Sequence, residues 1–206
     1  GAVIFVRHAI PGENCTIQIT SVGKSFNRAD VVSVQTPSEF RVVAPCSFAH
    51  RNGCGGCDFQ HISISHQRSL KADVIAEQFS RIAKMELRVE VEEVGKPLGW
   101  RTRCASVTTK SGALGFYQAR SHKIVTVDDC RILVPEMQFS ELAKRGAKGD
   151  QRIEISISNT GERSIATASA RDESPMRLTD GVEVAHYTVG ENSFEVSQKS
   201  FWQSHK

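Results

Sequence analysis

Four of the six cysteines are spaced as metal ligands are. Cys54 and Cys57 make a C-x-x-C step, from which neighbouring sulfurs can reach one metal centre. Cys46 precedes them in the same stretch, and Cys130 follows far downstream in Asp128-Asp129-Cys130. Gly53, Gly55 and Gly56 let the backbone curl tightly and bring amide N–H groups close to sulfur. Four thiolates suit a tetrahedral zinc or an iron–sulfur cluster. A single C-x-x-C step and an irregular first gap lean toward the cluster, since zinc ribbons more often carry two such knuckles. Two plainer readings compete. Cys54 and Cys57 could form a redox disulfide, although that motif usually opens a helix and tolerates paired glycines poorly. All six could be scattered structural thiols. His50 and His61 flank the stretch, as substitute ligands or, more simply, as supporting or solvent-facing neighbours.

A second chemistry-bearing run is Trp100-Arg101-Thr102-Arg103. On a strand, Arg101 and Arg103 project from one face. Two adjacent guanidinium groups without acidic neighbours need water or an anion, and phosphate is the attractive partner. An exposed face partly paired with carboxylates elsewhere is the competing reading. Lys24 and Arg28 could also touch phosphate, though a solvated loop is the commoner fate of such charges. The net charge of +3 is mild, with the basic excess confined to residues 1–145. It permits a polyanionic partner without demanding one.

These residues need elements to hold them. With 206 residues, 39% of them hydrophobic, the chain can bury one or two modest cores. No apolar run reaches membrane length and no signal peptide opens the chain. Metal-spaced cysteines without a disulfide ladder point to a reducing cytosol. Val3–Val6 begin in mid-strand, as a fragment would. Strands at 15–22 and 30–34 follow, predicting a small barrel-like β module. The spacing of Leu70, Val74, Ile75, Phe79 and Ile82 predicts an amphipathic helix over 65–84, with Ser65 as its N-cap. Residues 87–94 alternate as a half-buried strand. Strands at 104–107, 114–118 and 124–127 form an antiparallel meander ending at Cys130. A helix starts at Pro135 and ends at Gly146. Alternating Ile153, Ile155 and Ile157, then 164–170, 182–188 and 194–196, complete one sheet. There are no internal repeats and no low-complexity tract.

Taken together, Pro11-Gly12-Glu13, Arg41 through Cys46, Gly53 through His61, Gln67 and Lys71 resemble the S-adenosylmethionine-dependent RNA uracil-5 methyltransferases. The likeness is strongest to the bacterial 23S rRNA members. Trp100–Arg103, Gly115-Phe116, Arg120-Ser121-His122 and Asp128–Cys130 continue it. Phe201-Trp202-Gln203 resembles the family's Phe-x-Gln element.

The resemblance implies an α+β chain: an incomplete OB-like (TRAM-type) β-barrel at 1–43, then a central antiparallel-sheet domain with helices at 44–197. Residues 198–206 would begin the linker or helix leading to a Rossmann-like methyltransferase domain outside this chain. It implies a [4Fe–4S] cluster on Cys46, Cys54, Cys57 and Cys130, and S-adenosylmethionine bound in the missing domain. RNA, 23S rRNA by this likeness, would meet Arg101, Arg103, Arg120, His122, Lys123, Phe201 and Gln203. Gln203 matches the glutamine that contacts the target base, with Phe201 as the aromatic beside it. The protein would be cytoplasmic and monomeric, with no membrane partner.

The sequence departs from the family pattern in three places. It has no Gly-rich loop followed by an acidic residue. It offers no catalytic nucleophile, Cys15 lying in the β module and Cys104 in a strand. Ser106 stands where some tRNA-modifying relatives carry an aromatic. Two rivals are a zinc-ribbon RNA-binding module without a catalytic parent and a radical methylthiotransferase. The latter needs a C-x-x-x-C-x-x-C triplet, which is missing.

Overall fold

A computed structural model of the chain describes residues 2–205. Gly1 and Lys206, the ends of the first and last expected segments, lie outside the described residues. The chain divides into two compact units, Gly1–Val94 and Gly95–Lys206.

In the first unit, β1 (Val3–Arg7), β2 (Asn14–Val22) and β3 (Phe26–Thr36) form a sheet in the order β1-β3-β2. β1 runs parallel to β3, and β2 antiparallel to it. Ile10, Ala29 and Val31 are buried. The loop after β1 is pinned by Glu13. Its carboxylate accepts N–H from Ile10 (2.9 Å) and Ser38 (3.0 Å) and takes Nε and Nη2 of Arg41 at 2.6 and 2.5 Å. Those donors hold the Glu13 carboxyl down to about 2, the Arg41 hydrogen bonds first.

Helix α1 spans Ile64–Gln78 and runs into a wide π turn, Phe79–Ala83, closed by Lys84 in the left-handed region. It starts one residue before the expected cap: Ser63 is its N-cap and makes no side-chain capping bond. Gln67 secures that end instead, its Nε2 donating to the carbonyls of Phe59 (3.1 Å) and Ile62 (2.9 Å). No residue of α1 is buried, and Val74 and Ile82 are 57% and 79% exposed. Residues 87–94 form no strand. Alternation alone gives a segment no partner to pair with.

The second unit holds a six-stranded antiparallel sheet in the order β6-β5-β4-β7-β8-β9. Its strands are β4 (Arg103–Thr108), β5 (Leu114–Tyr117), β6 (Ile124–Thr126), β7 (Gln151–Ile157), β8 (Arg163–Ser169) and β9 (Arg177–Gly181). The alternating isoleucines of β7 face its core: Ile153 and Ile155 are 1% exposed. Leu114, Val134, Met137 and Phe139 are buried with them, and Phe139 stacks on Phe116 at 5.5 Å. The helix expected from Pro135 is broken in two. A single 3-10 turn, Pro135–Met137, stops at Gln138 in the left-handed region, and α2 then runs from Phe139 to Arg145.

The last two strands do not close this sheet. Among the described residues, β10 (Val184–Val189) and β11 (Asn192–Ser197) pair only with each other. Gly181 is the break: its φ is +84°, and a Cβ there would collide with the Arg163 carbonyl. The hairpin is held to the β7–β8 turn by side chains instead. Asn159 exchanges two hydrogen bonds with the Thr188 backbone (2.6 and 3.0 Å), and Thr160 Oγ1 donates to the His186 carbonyl (2.8 Å).

The α+β expectation is therefore corrected. The described residues are mostly β with few helices, and the β module is a three-stranded sheet with one parallel pairing, with no closed barrel among the described residues. Helical periodicity in the sequence marked α1 well, but its apolar residues find no core to enter.

Candidate nucleic-acid interface

In the second unit, Arg101 and Arg103 come together in a cleft of about 490 Å³ that Phe201 also lines. Arg103 opens β4, while Arg101 precedes it and bridges in one direction to Leu133 and in the other to His205. The Arg101 guanidinium lies over the Trp100 ring, 5.3 Å from its centroid, and Trp100 stacks on His205 at 5.1 Å. Arg103 Nη2 donates to the Gln198 carbonyl at 3.0 Å. Glu154 lines the same cleft, yet neither arginine forms an ion pair among the described residues. With Arg101, Arg103 and Lys199 set against Glu154, the cleft lining is net positive.

Beside it, Trp202 packs on Tyr187 (4.8 Å) and Phe194 (5.6 Å), anchoring the chain end to the β10–β11 hairpin. Its neighbour Phe201 has no such contact and is 83% exposed. An anchored and a free aromatic in succession make a stacking platform with a fixed base. Gln203 is exposed and does not line the cleft. Arg120, His122 and Lys123 sit on the exposed β5–β6 turn and do not line it either. Arg120 adopts the left-handed conformation there, and His122 meets Tyr117 edge-on at 6.0 Å.

Two residues of the cleft carried no signal in the sequence. Gln198 is 7% exposed, in a polar run where burial could not be foreseen. Cys104 also lines the cleft. Burial foremost, then the nearby Cys130, pushes its thiol up to about 12. A thiol so disfavoured as thiolate is a poor nucleophile.

The cysteine stretch belongs to the first unit. Cys54 N–H donates to the Phe48 carbonyl and Gly53 N–H to that of His50, both at 2.9 Å, curling the loop tightly. A Cβ at Gly53 would strike the Phe48 carbonyl, so the curl requires glycine there. Gly56 N–H donates to Cys54 Sγ at 3.4 Å. Burial foremost raises the Cys54 thiol, with Cys57 and Cys46 adding to it. Cys46 N–H is held by Gln60 Oε1 at 3.1 Å. His50 is exposed and His61 buried. In the second unit, Cys130 is half-buried in the loop after β6, its carbonyl accepting Leu133 N–H. No disulfide joins any of the six cysteines among the described residues. Among the described residues, no group of three or more His, Cys, Asp or Glu side chains is gathered to hold a metal. Cys54 Sγ, which takes the Gly56 amide, has the kind of backbone contact that suits a thiolate ligand.

No family model matches the chain. Among known proteins, the 23S rRNA (uracil(1939)-C(5))-methyltransferase RlmD of Marinomonas sp. is 35% identical over 69% of this chain and 32% of its own length. An uncharacterised RNA methyltransferase of Streptomyces coelicolor is 30% identical over 100% of this chain and 52% of its own. The chain spans about half the length of the curated relatives it matches from end to end. Among solved structures, the Pyrococcus abyssi tRNA (uracil-54, C5)-methyltransferase in complex with S-adenosyl-L-homocysteine superposes with a TM-score of 0.63 at 18% identity. The superposition covers 98% of this chain and 57% of that one. This coverage completes the correction of the fold class: nearly the whole chain shares its fold with part of a solved methyltransferase. The relatives do not favour the zinc-ribbon module. With motifs, relatives and fold pointing the same way, the chain belongs to the RNA uracil-5 methyltransferase family.

Proposed function

We propose that this chain is the RNA-engaging part of an enzyme that transfers a methyl group from S-adenosylmethionine to C5 of a uridine in 23S rRNA. The observation that carries this reading is the cleft: two guanidinium groups without ion pairs beside an exposed aromatic ring. Uridine C5 is unreachable inside a stacked helix, so such an enzyme must hold an unpaired, extruded nucleotide. Arg101 and Arg103 bind the strand's phosphates, and Phe201 supports a base. Gln203 contacts the target uracil, and Arg120, His122 and Lys123 add positive charge along the flanking RNA. None of the described residues is assigned to the methyl donor or to the nucleophile. The protein acts as a cytoplasmic monomer. Among its described residues no helix is long and apolar enough to cross a membrane.

Within this reading Cys46, Cys54 and Cys57, with Cys130 carried over from the sequence resemblance, are the ligands of a [4Fe–4S] cluster that serves the fold. Protein purified without oxygen then contains iron and sulfide and is brown. Stoichiometric zinc and no visible absorbance would assign the thiols to zinc. The division into segments at 1–43, 44–197 and 198–206 belongs to the same proposal.

The RNA claim is tested by fluorescence anisotropy with a uridine-containing single strand. Replacing Arg101 and Arg103 together by Ala is expected to weaken binding by tenfold or more and to flatten the salt dependence by about two counterions. Unchanged affinity and slope remove both arginines from the interface.

A further inference from the structure

The same cleft holds two enclosed hydrogen-bond donors with nothing to donate to. Among the described residues, Gln198 Nε2 has no partner, and neither has Arg101 Nε. Both side chains line the cleft. Gln198 is 7% exposed, and its backbone is engaged on both sides. Its N–H donates to the Glu183 carbonyl (2.9 Å), and its own carbonyl takes Arg103 Nη2 (3.0 Å). The amide is thus held in place while its donor stays unused. Enclosed donors are nearly always paired, and leaving one unpaired is costly. Two in one cleft is the pattern expected when the acceptor belongs to a ligand.

We propose that Arg101 Nε and Gln198 Nε2 form a two-donor seat for one non-bridging phosphodiester oxygen of an unpaired RNA strand. Gln198 is thereby an RNA-binding residue beyond those the motifs single out. This rests on the reading of the cleft as an RNA site and makes it specific. Both unfilled groups are donors, so the missing partner is an acceptor. Both arginines lack a carboxylate partner, so the acceptor carries negative charge; a neutral base carbonyl would leave that charge uncompensated. Phe201, exposed in the same cleft, lets a base adjoining that phosphate stack.

The test uses the 206-residue chain and a uridine-containing RNA of about eight nucleotides, in versions that each carry one neutral methylphosphonate linkage. Gln198→Leu is expected to weaken binding on the order of tenfold, with an unchanged or raised melting temperature because a stranded amide is removed. One linkage should weaken the wild-type protein by a similar factor when neutralised and cost the Leu variant nothing further. If the Leu variant is unstable, Gln198→Glu replaces it, and its carboxylate should weaken binding more than tenfold. Wild-type affinity in the soluble variant overturns the seat, as do additive losses at every linkage. So does a loss that follows removal of one base rather than neutralisation of one linkage. Binding that responds to Arg101 and Arg103 but not to Gln198 removes the seat alone. A wild-type chain that binds no RNA removes the seat and the RNA reading together.

Discussion

At the scale of single residues, Glu13 shows how much one buried carboxylate can organise. Its side chain is fully enclosed, and Arg41 and two backbone amides surround it. Its folded value of about 2 lies below the ordinary 4.5. The stabilisation is therefore complete above about pH 4.5 and is lost as the pH falls toward 2. It is worth on the order of 3 kcal/mol. Glu13→Gln should lower unfolding stability by roughly that amount at pH 6, and urea titrations should show the gap closing as the pH falls toward 2. A gap that does not change with pH contradicts the ion-pair account. Gly53→Ala should cost about 1–3 kcal/mol, because the Phe48 carbonyl cannot move without unwinding the loop. The cysteine-loop glycines stood out in the sequence through motif spacing, and Glu13 and Arg41 through the family resemblance. Gln198 did not, since nothing in a run of polar residues says which one the fold will enclose.

Elements divide by whether they have a partner. The isoleucines of β7 alternate in the sequence and lie in the middle of a six-stranded sheet, so period-two patterning and burial agree. Ile155→Ala should destabilise by about 2–5 kcal/mol in denaturant unfolding. α1 is the opposite case: the helix is legible from its 3.6-residue repeat, but its burial is not, because periodicity fixes a face and not what covers it. Ile82→Glu, in the π turn that continues α1 and at 79% exposure, should therefore change stability by less than about 0.5 kcal/mol. A loss of several kcal/mol would mean that the helix face is covered. Residues 87–94 teach the same lesson for strands, and the β10–β11 hairpin shows a sheet ended by one glycine that periodicity could not see. Positive φ at Gln138 likewise split a helix that Pro135 and Gly146 bracketed correctly.

For the molecule as a whole, the motifs were enough to identify the family, while architecture was harder to read. Motifs are local strings, whereas mostly-β content and strand order depend on pairings across many residues. On the proposed function, the protein containing this chain makes 5-methyluridine in 23S rRNA. The most direct measurement is nucleoside mass spectrometry of separated 23S rRNA and tRNA from cells with the gene intact and deleted. Deletion should remove 5-methyluridine from 23S rRNA, and the intact gene should restore it where one with both Arg101 and Arg103 changed to Ala does not. Unchanged 5-methyluridine in that fraction would contradict it.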